Sequence, residues 1–299
     1  DGYRNYECRL STDVVFGYSG FSAEIEKNLG SSISHFVITG FLRNYNPAAL
    51  VRRAEEIRAK LNEAGARKVV CVLDENSASD KRWHTGHGLQ RENYSVMLEE
   101  VMRTPWLGVI FKPKAPGTLR SRLGPVSDLL TAAEKTGRCV ILETSGVTHA
   151  SSVPVLLAGL ASDVVIHSHL SAGTAALECV LNGIPTLLID REGAPMSKLY
   201  ELPSGKVRFA NWAEAADSVM AHFRAKNGIS DFGIWDETFL REMDPFGDDK
   251  AATRMGSYLQ WLIEGFDKGQ DRETVLEEAA NRYRDLWGDD KVISIGDCH

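Results

Sequence analysis

From residue 67 onward, short β-branched apolar runs alternate with amphipathic stretches of helix length. The runs are "KVVCVLD" (68–74), "WLGVIFK" (106–112), "RCVILE" (138–143), "SDVVIHS" (162–168), "IPTLLID" (184–190) and "KVRFA" (206–210). Helical periodicity falls between them, near 88–103, 123–136, 152–160, 172–182 and 212–226. Strands apolar on both faces and separated by helices predict a parallel sheet covered by helices on both sides. Residues 67–230 are therefore expected to form a Rossmann-like α/β domain of ordinary size.

The flanks read differently. Residues 1–66 hold two strand candidates, "DVVFGYS" and "HFVITGF", and a helix over 47–64 that opens at Pro47, a favoured first helical position. This is too little for a complete domain, and is expected to be the end of a first domain with its linker. After 230 comes a loop rich in Asp, Gly and Pro, then two amphipathic helices near 250–266 and 271–287. Residues 231–299 are expected to pack back towards the first domain. The chain opens without methionine, so a domain upstream of it stays an open expectation.

Composition narrows the function classes. Hydrophobic residues make up 43% and charged residues 25% of 299, as in ordinary globular proteins. With 34 basic against 41 acidic residues and no long basic run, nucleic acid is not the expected partner. The five cysteines show no CxxC spacing, which points away from a zinc site or a disulfide framework and fits a reducing cytoplasm. No apolar run approaches the roughly 20 residues that span a bilayer, and no signal peptide is visible.

In open α/β sheets, ligands bind beyond the carboxyl ends of the strands. The first four exits read "DENSASDKRWHTGH", "KPKAP", "ETSGVTHASS" and "HSHLSAGT", all polar, and together they would rim one cleft. In the fourth, Ser168 and His169 precede a helix start at Ser171. Gly173, Ala176, Leu177, Val180 and Leu181 then share one face, which would lie on the sheet, with Gly173 permitting close approach. Thr174 and Glu178 point away. Free N–H groups at the helix start suit a phosphate, and Glu178, about 10 Å further along the axis, can accept ribose hydroxyls. Simple N-capping by Ser171 beside a solvated Glu178 is the alternative.

Lys112 and Lys114, separated by a proline, are either two solvated lysines or phosphate contacts. The first exit crowds Asp74, Glu75, Asp80, His84 and His87 into 14 residues. No HxxxH pattern supports a metal there. General acid–base chemistry, an acceptor-binding loop and a plain solvated loop are its remaining readings. There is no GxGxxG after the first strand, no GxxxxGK[ST] and no GxSxG, which removes most support for dehydrogenase, P-loop ATPase and α/β-hydrolase.

Taken together, these stretches resemble the C-terminal, donor-binding half of a GT-B glycosyltransferase, and more narrowly the bacterial capsule and lipopolysaccharide biosynthesis proteins. "HFVITGF" is similar to the segment between the two Rossmann domains, and "FKPKAP" stands where many relatives carry a Lys/Arg-Pro-His-Pro phosphate motif. "SAGTAALECVLNGIPTLLID" resembles the donor-binding helix with Glu178 at the ribose position. "DPFGDDKAATRMGSYLQWLIEGFDKG" and "AANRYRDLWG" look like the closing helices. Lys114 departs from the usual histidine. Leu170 stands where many retaining members have a second glutamate, which speaks against that retaining class.

The resemblance implies a metal-independent transferase without cofactor, moving a sugar from a CMP- or UDP-activated donor to a surface glycan or glycolipid. It would work in the cytoplasm, at the inner face of the inner membrane, beside a membrane-bound assembly. Lys112, Lys114, Glu143, Thr144, Ser145, Ser168, His169, Ser171, Gly173, Thr174 and Glu178 would bind the donor. Asp74, Glu75 and His84 would be the catalytic residues, facing the acceptor, with a base near "ETSGVTHASS". A nucleotide-sugar epimerase of the related two-domain type and a non-catalytic donor-binding module are the rival readings.

Overall fold

The computed structural model describes residues 9–42, 47–75, 77, 79, 86–143, 153–170, 173–191 and 197–296. The chain divides into two units, residues 46–235 and the paired segments 1–45 and 236–299.

The larger unit begins with helix α2 (Pro47–Glu63), since β1 (Ser11–Gly17), α1 (Gly20–Leu29) and β2 (Ser32–Ile38) belong to the smaller one. It continues through β3 (Lys68–Leu73), α3 (His87–Arg103), β4 (Leu107–Lys112), α4 (Leu119–Leu123), α5 (Val126–Lys135) and β5 (Cys139–Ile141). Then follow α6 (Val155–Leu160), β6 (Val164–His167), α7 (Thr174–Val180), β7 (Thr186–Ile189), β8 (Arg208–Phe209) and α8 (Trp212–Arg224). The strands form one parallel sheet in the order β5-β4-β3-β6-β7-β8. The sequence order reverses between β3 and β6, where an open α/β sheet leaves a crevice. Every residue of β4, β6 and β7 is buried, as expected of strands covered on both sides. Val70, Val72, Val109, Phe111, Val164 and Ile166 pack one face against Tyr94, Met97, Leu98 and Val101 of α3.

The unit's edges differ from the expected boundaries for identifiable reasons. Helix α2 belongs here rather than to the N-terminal segment: Arg58 pairs with Asp163 at 2.8 Å and also donates to the carbonyls of Ala161 and Arg67. At the other end, the Trp235 indole donates to Thr186 O at 2.9 Å, which holds residues 231–235 on the sheet.

The smaller unit is built from both ends of the chain. Strand β1 (Ser11–Gly17), helix α1 (Gly20–Leu29) and β2 (Ser32–Ile38) join α9 (Glu237–Met243), α10 (Ala251–Asp267), α11 (Arg272–Trp287) and β9 (Val292–Ile295). β1 pairs parallel with β2, and β9 pairs antiparallel on its other side. Val14, Phe16 and Val37 face Tyr258 of α10 and Ala279, Ala280 and Tyr283 of α11. Val15, Phe36 and Ile38 pack with Ala23 of α1 on the opposite face. Helices α1 and α9 and strand β9 were not anticipated from the periodicity. α1 buries Ala23 alone, so its pattern is faint, α9 lies within the Asp-rich stretch, and β9 has only four residues.

The carboxyl end of β2 is tied down by buried polar contacts. Arg254 Nε donates to Thr39 O at 2.9 Å, while Nη1 and Nη2 fork onto Asp248 at 3.0 and 2.7 Å. The Phe246 ring lies 3.6 Å from the guanidinium carbon. Gly40 adopts φ +82°, and a Cβ there would meet Asp244 Oδ1 at 2.8 Å, so glycine is required. Among the described residues, no helix is long and apolar enough to cross a membrane.

Candidate functional site

Strands β4, β3 and β6 are neighbours, so their carboxyl ends bring Lys112, Asp74, Glu75, His167, Ser168 and His169 into one region at the reversal of strand order. The ladder continues one residue past β3, with Asp74 N donating to Lys112 O at 3.2 Å. Ser168 closes the other side, donating from both N and Oγ to Leu73 O at 3.4 and 3.2 Å.

Asp74 is 6% exposed. Its Oδ2 accepts from Gln90 Nε2 at 2.8 Å and Tyr94 OH at 3.2 Å, both from α3. Its Oδ1 is sealed from solvent and has no hydrogen-bond partner among the described residues. Burial pushes this carboxyl up to about 7, against the opposing pull of Arg122, the two hydrogen bonds and His169. Such a group gains and loses a proton in the physiological range, as a general acid or base must.

Lys112 is the complementary observation. It ends β4 at 7% exposure, and its ammonium makes no hydrogen bond or ion pair among the described residues. Burial lowers its pKa, opposed by Cys71, Glu75 and Asp74. A buried cation without a partner is costly, and an anion brought to it would remove that cost.

Glu75 is occupied. Lys114 Nζ donates to its Oε2 at 2.6 Å, and His167 Nε2 lies 3.8 Å from Oε1. Lys114 itself is exposed. The His167 ring is set by its 2.6 Å contact between Nδ1 and His169 O. The N–H of His169 also approaches the same Nδ1, at 3.2 Å, so this nitrogen donates to the carbonyl or accepts from the amide according to the ring's tautomer.

The remaining predicted residues distribute unevenly. Glu143 is exposed just beyond the edge strand β5, two strands away from β3. Gly173 is the N-cap position of α7, but its close approach is to Leu199, whose Cδ1 would sit 2.1 Å from an added Cβ, rather than to the sheet. Thr174 is exposed. Glu178 is half-buried and Oε1 accepts the N–H of Leu156 at 3.1 Å, so it caps α6 instead of standing solvated. His84, Thr144, Ser145 and Ser171 lie outside the described residues, as does Asp80. Among the described residues no three His, Cys, Asp or Glu side chains are grouped as metal ligands.

Periodicity alone did not single out the residues behind Asp74: Gln90, Tyr94, Ser77 and Arg122. One signal existed. Gln90 falls in the buried stripe of α3 with Tyr94, Met97, Leu98 and Val101, and a polar residue in such a stripe needs partners.

No family model matches the chain, and no curated protein matches it. Among solved structures it is similar to the C-terminal domain of a glycosyl transferase group 1 family protein (LpcC) from Francisella tularensis, at 11% identity and TM-score 0.37, over 72% of this chain and 95% of that one. It is similar to S. aureus MnaA in a co-structure with UDP, at 13% identity and TM-score 0.44, over 84% of this chain and 61% of that one. The N-terminal domain of Candida albicans trehalose-6-phosphate phosphatase matches at 11% identity and TM-score 0.37, over 81% of this chain and 55% of that one.

Proposed function

We propose that residues 46–235 bind a nucleotide-activated sugar, CMP- or UDP-linked, and that the chain serves a GT-B-type glycosyltransferase acting on a surface polysaccharide or lipopolysaccharide. The observation that carries this reading is the pairing, at the carboxyl ends of neighbouring strands, of a buried lysine that makes no hydrogen bond or ion pair among the described residues and a buried carboxyl with one oxygen unpartnered among them. Lys112 would hold the donor phosphate and stabilise the charge that grows on it as the glycosidic bond breaks, which needs no metal. Asp74 would take the proton of the acceptor hydroxyl as its oxygen attacks the sugar. The Glu75–Lys114 pair would line the same strand ends. A ribose hydroxyl reaching Glu178 would compete with the N–H of Leu156. The reaction would take place in the cytoplasm at the inner membrane, where such acceptors are assembled.

Calorimetric titration with CMP, UDP, CDP and GDP tests the reading, using the chain and a Lys112→Met variant. One nucleotide should bind, and the variant should bind it about tenfold or more weakly, roughly 1.4 kcal/mol. If no nucleotide binds, or the variant binds as well as the parent, Lys112 holds no donor phosphate and the reading is wrong.

A further inference from the structure

The polar groups behind Asp74 form a chain of fixed orientation. Arg122, itself buried, anchors on Ala115 O at 2.7 Å and Thr118 Oγ1 at 3.2 Å, and donates to Gln90 Oε1 at 3.0 Å. Ser77 Oγ also donates to Gln90 Oε1, at 2.5 Å. The Gln90 amide therefore cannot flip, because its NH2 would then face the guanidinium and its oxygen the Asp74 carboxylate. Its Nε2 is committed to Asp74 Oδ2 and, more loosely, to Glu75 O at 3.4 Å. Tyr94 is equally fixed, its ring stacked on Phe111 with centroids 4.4 Å apart and planes 12° from parallel.

Two donors on Oδ2 and none on Oδ1 divide the carboxyl into unequal halves. A proton arriving at Asp74 goes to Oδ1, since Oδ2 already accepts two hydrogens. Nor can it travel inward. His87 Nδ1 meets Ser77 Oγ at 2.8 Å, but between Ser77 and Asp74 stands the Gln90 amide, which does not relay protons. The phenol of Tyr94 is held well above its usual range by burial, and so stays protonated.

We propose that Gln90 and Tyr94 are positioning residues for Asp74, occupying Oδ2 so that Oδ1 is the single oxygen on which this carboxyl takes up and releases its proton. The proposal rests on the reading of these strand ends as the reacting site, and it assigns the proton-transferring atom within it. The charged and titratable groups facing Asp74 are Arg122 from α4, Lys112 from β4, His169 from the exit of β6, Glu75 beside it and the Tyr94 phenol. Arg122 and His169 favour the carboxylate, as do the two hydrogen bonds, while burial opposes it.

The test is a carboxyl 13C NMR titration of the ligand-free chain with labelled aspartate, the Asp74 signal being assigned by its loss in Asp74→Asn. The midpoint is expected near the value of about 7 that burial imposes. Tyr94→Phe keeps the stacked ring and removes one donor to the charged form, so the midpoint should rise by about one pH unit. Gln90→Leu should raise it further. If Gln90→Leu does not fold, Tyr94→Phe decides the matter alone. An ordinary carboxylate midpoint near 4 in the parent chain, or an unmoved midpoint in folded Tyr94→Phe, overturns the proposal. Because no ligand is present, that failure is separate from a failure to bind nucleotide. A chain that binds nucleotide but titrates ordinarily loses this inference and keeps the donor reading.

Discussion

Each unit of this protein buries an ionisable group beside the carboxyl end of a strand, and the two are treated in opposite ways. Arg254, 2% exposed, has a backbone carbonyl, both oxygens of Asp248 and an aromatic face around its guanidinium. Its neighbour answers in kind: the Arg254 hydrogen bonds hold Asp248 down at about 2. Asp74, nearly as buried, has donors on one oxygen only among the described residues and is pushed up to about 7. A satisfied buried charge does structural service, because removing one partner strands the other. An under-satisfied one weakens the fold, and so marks the place where chemistry is expected.

The largest expected effect is the pH dependence that Asp74 confers. Its folded value lies above the ordinary 3.8, so between about pH 4 and 7 the folded chain holds a proton that the unfolded chain has released. Stability contributed by Asp74 therefore falls as pH rises through that window and is level above it. Asp74→Asn removes this dependence. In urea unfolding, the variant should gain on the parent from pH 4 to pH 8 by on the order of 4 kcal/mol, at roughly 1.4 per pH unit. Parallel stability curves for the two proteins would show that the carboxyl is satisfied, and the contrast with Arg254 would disappear.

Arg254→Met should act in the opposite sense. It should cost about 3 kcal/mol at neutral pH, because Thr39 O loses its buried donor and Asp248 its partner. A loss below about 1 kcal/mol in the same experiment would demote the cluster to a surface feature. Glu178 sharpens the comparison at the small end. Its contact with Leu156 N–H caps a short helix, so Glu178→Ala should cost about 1 kcal/mol while Glu178→Gln, which keeps an acceptor, stays nearly neutral. Equal losses in the two variants would mean that the negative charge of Glu178, not its acceptor, matters to the fold.

Hydrophobic periodicity is a local property, and the elements that depend on it could be read directly. The six strand runs from 68 to 210 and the helices at 87–103, 212–224, 251–267 and 272–287 follow from side-chain spacing, because burying one face is what forms each of them. The polar exits at Asp74 and Lys112 were legible too, as charged residues at the ends of otherwise apolar runs. Strand order was not, since β3 and β6 lie some 90 residues apart and only packing makes them neighbours. The same holds for the partners that give each site residue its character. Gln90 and Tyr94 from one helix, with Arg122 from another, decide that Asp74 has one satisfied oxygen. Leu156, in a helix distant in sequence, occupies Glu178. A side chain's type is written in the sequence, but its proton affinity depends on desolvation and on donors that arrive from elsewhere in the chain. For that reason the elements could be predicted one at a time, while the state of Asp74 was decided only when the strands and helices of the larger unit packed together.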